Sequence, residues 1–113
     1  MIRLMLLWML ADTTRGPELF NKRCTACHAL DHVKAAPPLR GVYSRRAASA
    51  PGFPYSEALL KSRLVWDAET LDRWLTNPES LVPATDMSFR LNDSAERAAI
   101  IDYLKHLATK MIR

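Results

Sequence analysis

No run in this 113-residue chain alternates apolar with polar side chains as a half-buried strand requires, so no sheet is expected and the fold class is all-α. The periodicity that exists is helical. Leu71, Trp74 and Leu75 stand at i, i+3 and i+4 behind Asp67, which can cap a helix, and Asn77-Pro78 stops that segment. Farther on, Asp93-x-x-Glu96 resembles a capping box. It opens a last helix in which Arg97, Ile100, Ile101, Leu104, Leu107, Ala108 and Met111 keep helical spacing. Near the start, Pro17 to Arg23 reads as a helix with proline in its first turn, running into two cysteines. Long loops separate these segments. Residues 35–55 hold four Pro and two Gly, and residues 80–92 form a second loop.

The length makes one small domain, and such a domain buries only about two-thirds of the surface its unfolded chain exposes. A large apolar group held inside would therefore count heavily toward stability. With 49% hydrophobic and 25% charged residues the chain is neither disordered nor fibrous. Three Gly leave no room for a glycine-punctuated β architecture, and two Cys are too few for a disulfide scaffold or a four-thiolate zinc site. Sixteen Lys and Arg against twelve Asp and Glu give a net charge of +4, spread along the chain. Without a basic face in an aromatic or helix-turn-helix context, no nucleic-acid partner is expected. A diffuse positive balance suits steered docking to an acidic surface.

Residues 1–11 differ from the rest. Arg3 is followed by an apolar run from Leu4 to Leu10, then Ala11 and the polar Asp12-Thr13-Thr14-Arg15, the order found in a secretory signal. The run is far shorter than the ~20 residues that span a bilayer. It is expected to be a signal-peptide remnant ahead of a domain at residues 12–113. The competing reading is a misplaced start codon or a hydrophobic N-terminal strand or helix.

Cys24-Thr25-Ala26-Cys27-His28 carries the chemistry. Two thiols three apart can each add to a vinyl group of one porphyrin, and the adjacent His28 offers an imidazole to its iron, the pattern of c-type haem attachment. A zinc site would need four ligands with a loop between the pairs, whereas His32 comes only four residues after His28. A thioredoxin-like dithiol would need a strand before it. A plain pair of thiols or a local disulfide stays open but leaves His28 unexplained. Met87 is the one methionine in a loop; taken alone it is more often core packing than a ligand. Trp66 and Trp74 alone would be core, and Arg45 a solvated charge.

Around these residues the chain resembles a class I cytochrome c of the mitochondrial and bacterial respiratory type, from Gly16 to about Leu107. The motifs come in the family's order: Gly-x-x-Leu-Phe, Cys-x-x-Cys-His, Pro37-x-Leu39-x-Gly41, Ala50-Pro51-Gly52-Phe53-x-Tyr55, Trp66, Asn77-Pro78, Pro83-x-Thr85-x-Met87-x-Phe89 and Tyr103-Leu104. The resemblance implies three to five helices and long loops wrapped around one haem c, covalently bound through Cys24 and Cys27. It implies His28 as proximal ligand and Met87, 59 residues downstream, as distal ligand. The Pro37 carbonyl would accept from His28. Arg45, Tyr55 and Trp66 match positions that bond or neutralise the propionates. Phe20, Leu39, Leu75, Phe89 and Leu104 match the apolar shell and the contact between terminal helices.

The implied function is a diffusible one-electron carrier, not an enzyme, moving between respiratory or photosynthetic membrane complexes, a cytochrome bc-type donor and a terminal oxidase or similar acceptor, by transient docking of a monomer. Its place would be the periplasm, or the mitochondrial intermembrane space. Two alternatives are a haem subunit of a dehydrogenase or oxidase complex, and a haem enzyme or gas sensor with an open sixth position. Three departures from the family matter. Trp74 stands where mitochondrial relatives place a tyrosine that bonds the methionine sulfur, and its indole N–H is expected to point elsewhere and leave Met87 loosely held. Glu79, Ser80 and Asp86 replace docking lysines, so a face of mixed sign is expected beside Arg23 and Lys34. No Lys lies between Lys61 and Lys105, so none is expected to displace Met87 at high pH.

Overall fold

The computed structural model describes residues 13–111; the expected signal remnant at residues 1–11 lies outside them. Five helices follow one another among the described residues: α1 Gly16–Arg23, α2 Glu57–Lys61, α3 Ala68–Thr76, α4 Pro78–Leu81 and α5 Ser94–Met111. The only ladder-like feature described is an isolated bridge between Arg46 and Val65, in keeping with the missing strand periodicity.

The chain's local chemistry accounts for the long elements. Pro17 sits in the first turn of α1, where its missing N–H costs nothing, with Glu18 at the positive end and Lys22 and Arg23 at the negative end. Asp67 caps α3 by a reciprocal box: its carboxylate accepts from the Thr70 N–H, and the Thr70 hydroxyl accepts from the Asp67 N–H, both at 2.9 Å. The box expected at α5 is only half formed. Asp93 accepts from the N–H groups of Ala95 and Glu96, but the Glu96 carboxylate turns away to Arg23 Nε at 3.0 Å.

Neither short helix was expected: α2 follows the loop read at 35–55, and α4 runs into the start of the loop read at 80–92. Ser56 accepts from the Leu59 N–H and opens α2, and α4 begins at the very proline that ends α3. Pro78 stops α3 because it cannot donate, and for the same reason it is acceptable as the first residue of the next turn.

Helices α1 and α5 cross at Gly16, which is buried, with Phe20 packed on Tyr103 at a centroid distance of 5.4 Å. Arg97 on α5, only 12% exposed at its side chain, bonds Asp72 of α3 at 2.8 Å. It also donates to the carbonyls of Leu91 and Asn92. That strap ties the last helix to α3. Leu19, Leu71, Leu75, Ile100 and Leu104 fill the space between the three long helices.

Candidate functional site: an apolar cavity between the cysteine turn and the methionine loop

The turn after α1 carries both cysteines and His28. It is closed by the Cys27 and His28 N–H groups on the Cys24 carbonyl and by the Ala36 N–H on the Cys27 carbonyl at 3.0 Å. Cys24 is half-buried and Cys27 exposed, and both are free thiols. Burial pushes the Cys24 thiol up to about 11, so it is fully protonated near neutrality.

His28 Nδ1 lies 2.7 Å from the Pro37 carbonyl oxygen. A carbonyl can only accept, so Nδ1 carries the proton and the lone pair is on Nε2. Burial lowers the imidazole's pKa, against an opposing effect of the Pro37 carbonyl, so the ring is held neutral. A neutral, oriented imidazole with a free Nε2 is what metal ligation requires.

Met87 stands on the loop between α4 and α5. Its sulfur accepts from the Trp74 indole N–H at 3.0 Å, which corrects the expectation that this N–H points elsewhere. Trp74 is 8% exposed, and Trp66 packs edge-on against it at 5.2 Å and 65°. That contact fixes the ring plane so that the N–H edge faces the loop. The bond joins a soft, polarizable acceptor to a donor that has no other partner among the described residues.

Cys24, Cys27, His28, Pro37, Arg45, Tyr55, Trp66, Trp74, Met87 and Phe89 all line one cavity of about 490 Å³. Leu39, Leu75 and Leu104 line it as well, whereas Phe20 does not and belongs to the α1–α5 contact. The sequence reading did not single out Val42, Leu59, Arg46 or Ser49, which complete the wall. Only Leu59 had a local cue, the capping serine three residues before it. Arg45 is brought beside Trp66 by mutual pairing of two loops, with the Trp66 N–H on the Arg45 carbonyl at 2.9 Å and the Ser44 N–H on the Trp66 carbonyl at 2.6 Å. The Tyr55 hydroxyl accepts from the Ala50 N–H at 3.1 Å, so its own proton remains to be donated.

This wall fits a haem. Its volume lies within the ~300–1,000 Å³ of cofactor pockets. Its lining is mainly apolar, with leucine, alanine, proline, tryptophan and phenylalanine prominent, and has two thiols, one neutral imidazole and one thioether as the reactive donors. Arg45, Arg46 and the Tyr55 hydroxyl supply what carboxylate side arms would need.

The exposed members of the wall are Arg23, Ala26, Cys27, Ala35, Arg46, Ser49, Asp86, Ser88 and Phe89, the last 39% exposed. The exposed charges of the wall are of both signs, Arg23 and Arg46 against Asp86. Arg23 is paired with Glu96, and the Lys34 ammonium donates to the Thr25 carbonyl at 2.9 Å.

Comparison with known proteins agrees with this geometry. A family model described as Cytochrome c matches residues 13–108. Cytochrome c type-1 of Ascaris suum is 38% identical over 104 residues, 89% of this chain and 93% of that protein. Cytochrome c-type cyt cy of Rhodobacter capsulatus is 44% identical over 98 residues, 85% of this chain and 49% of that longer protein. Among solved structures, cytochrome cH from Methylobacterium extorquens superposes with a TM-score of 0.78 at 38% identity, covering 83% of this chain and 97% of that one.

Proposed function

The chain belongs to the cytochrome c family, and from that premise we propose that His28 and Met87 are the axial ligands of its haem and that it works as a freely docking carrier in the periplasm. It is an electron carrier whose haem c is attached through Cys24 and Cys27. When bound, the haem supplies the redox couple; imidazole and thioether ligation favours a high potential. The polypeptide does the rest. His28 presents Nε2 because Pro37 holds Nδ1–H. Trp74 holds the Met87 sulfur, and the leucine-rich wall keeps water out. Arg45 and Tyr55 are placed to bind the propionates.

The observation that carries this reading is the 3.0 Å bond to the Met87 sulfur inside the cavity that His28 and both cysteines line. An open sixth position was suggested only by a loosely held Met87, and that ground is gone. Among the described residues no helix is long and apolar enough to cross a membrane. We assign transient docking to the mouth around Phe89, with donors and acceptors of the cytochrome bc and terminal oxidase kind. The chain catalyses no reaction of its own in this reading.

The test is an optical spectrum of the protein matured with haem, oxidised and reduced, beside a denaturing gel stained for haem. Haem retained on the gel and a methionine–iron(III) charge-transfer band are expected. A high-spin or carbon monoxide-reactive iron would remove Met87 from the ligand set.

A further inference from the structure

The loop that delivers Met87 contains a turn its own sequence does not favour. Ala84 has φ +68°, the left-handed region, where a Cβ is strained and glycine is the usual occupant. Such a turn persists only where neighbours over-determine it. One neighbour does so directly: the Glu79 carboxylate, from the α4 helix, accepts from the Ala84 N–H at 3.0 Å. The bond spans the end of α4 and closes the turn three residues before Met87. A carboxylate accepting from a backbone N–H is among the stronger hydrogen bonds.

Beyond Met87 there is also room. A second cavity of about 210 Å³ is lined by Asn77, Glu79, Thr85, Met87 and Arg90. Asn77 Oδ1 nearby is buried without a hydrogen-bond partner among the described residues. Met87 is thus a partition between two spaces, and its position is not fixed by close packing on both sides. Its retention in the main cavity falls to the Trp74 N–H on one side and to the geometry of the loop on the other.

We propose that Glu79 is a positioning residue for Met87: its carboxylate clamps the strained Ala84 turn, and without that clamp the loop relaxes and the thioether spends more time in the second cavity. This rests on the reading of Met87 as distal ligand. It assigns a specific part to a glutamate in a region where mitochondrial relatives carry docking lysines. Glu79 is exposed and keeps its charge, so the same carboxylate can clamp the turn and contribute to the mixed sign of the surface.

The probe is imidazole titrated into the oxidised, haem-loaded protein, since it can occupy only the population in which Met87 has left, and its apparent affinity scales with that population. Glu79→Ala is expected to tighten imidazole binding about fivefold, equivalent to about 1 kcal/mol, and to weaken the methionine–iron(III) band. Glu79→Gln, whose amide oxygen can still accept from the Ala84 N–H, should return both to within about twofold of the parent. In an Ala84→Gly background, where the turn is unstrained, Glu79→Ala should change the affinity less than about twofold. Unfolding of each variant followed by far-ultraviolet circular dichroism separates a local release from a general loss of stability. An unchanged imidazole affinity in Glu79→Ala overturns the proposal, as does a full fivefold effect in the glycine background. A parent protein with no methionine–iron(III) band would instead overturn the ligand assignment on which it rests.

Discussion

The indole N–H of Trp74 and the sulfur of Met87 are 3.0 Å apart, a helix residue and a loop residue thirteen positions distant in sequence. The N–H brings the positive end of a dipole to an atom that, as a ligand, donates electron density to iron. That arrangement disfavours the more positive, oxidised state. Trp74→Phe keeps an aromatic ring against Trp66 but deletes the donor. A hydrogen bond is worth about 0.5–1.5 kcal/mol net, and only the part that differs between oxidation states moves the potential. The midpoint should fall by a few tens of mV, on a scale where a tenfold one-electron change is about 59 mV. Spectroelectrochemical titration reads this directly; an unchanged potential with an unchanged charge-transfer band would mean that the sulfur does not feel the indole.

Gly16 sets how closely α1 can approach α5. A Cβ there would lie 2.6 Å from the Ala99 carbonyl oxygen and 2.8 Å from Tyr103 Cβ, so backbone would have to move. Alanine favours a helix over glycine by about 0.5–1 kcal/mol, while overpacking a tight contact costs about 1–3 kcal/mol. The contact wins. Gly16→Ala should lower the thermal midpoint of the haem-loaded protein by several degrees, given about 4–8 °C per kcal/mol for a domain of this size. A midpoint that rises would show the crossing to be loose.

These two relationships also mark where sequence reasoning stops. Helices α1, α3 and α5 were legible because each is long enough to show a buried stripe and has a start signal, Pro17, Asp67 or Asp93. Helices α2 and α4 have five and four residues, too few for a period of 3.6 to register. Cys24, Cys27 and His28 were legible through their chemistry, since few residue patterns can bond a porphyrin, whereas the roles proposed for Met87, Arg45, Trp66 and Trp74 came through the family resemblance, each being core or a solvated charge when read alone. Leu59 and Val42 were not, because an apolar wall can be built from any aliphatic side chain. The direction of the Trp74 N–H depends on Trp66 and on a loop folded back over it. The Arg23–Glu96 pair joins residues 73 apart. Both are tertiary facts that no local pattern contains.

The cap of α3 gives the fold an acid-sensitive contact. The Asp67 carboxyl is held below its ordinary range, first by the Thr70 backbone N–H and then by the Thr70 side chain. A carboxyl with a depressed folded-state pKa stabilises fully above its unfolded value, about 3.9, and that stabilisation is lost as pH falls through the lower folded value. Asp67→Asn keeps an N-capping oxygen but cannot titrate. Urea midpoints at a series of pH values should place the wild type above the variant at neutral pH, with the gap closing below about pH 3.9. A gap of constant size across that range would assign the cap no charge-dependent part.

Electrostatics at the cavity mouth leads to the last prediction. Asp86 and Ser88 are exposed on the wall beside Phe89, Arg23 is paired with Glu96, and the Lys34 ammonium is bonded to the Thr25 carbonyl. The wall carries both signs at its exposed positions, Asp86 as well as Arg46, so its pull on an acidic partner is weaker than that of a ring of lysines, and screening can remove only an attraction that exists. The association rate with an acidic oxidase should therefore fall little between about 0.01 M and about 0.15 M salt, although the Debye length shrinks over that range from about 30 to about 8 Å. Asp86→Lys replaces an anion by a cation at the mouth, so it should raise the rate at low salt and steepen its decline with salt. Stopped-flow oxidation of the reduced protein at a series of ionic strengths measures both slopes. A steep slope in the parent, unchanged by Asp86→Lys, would place the docking contact away from this mouth.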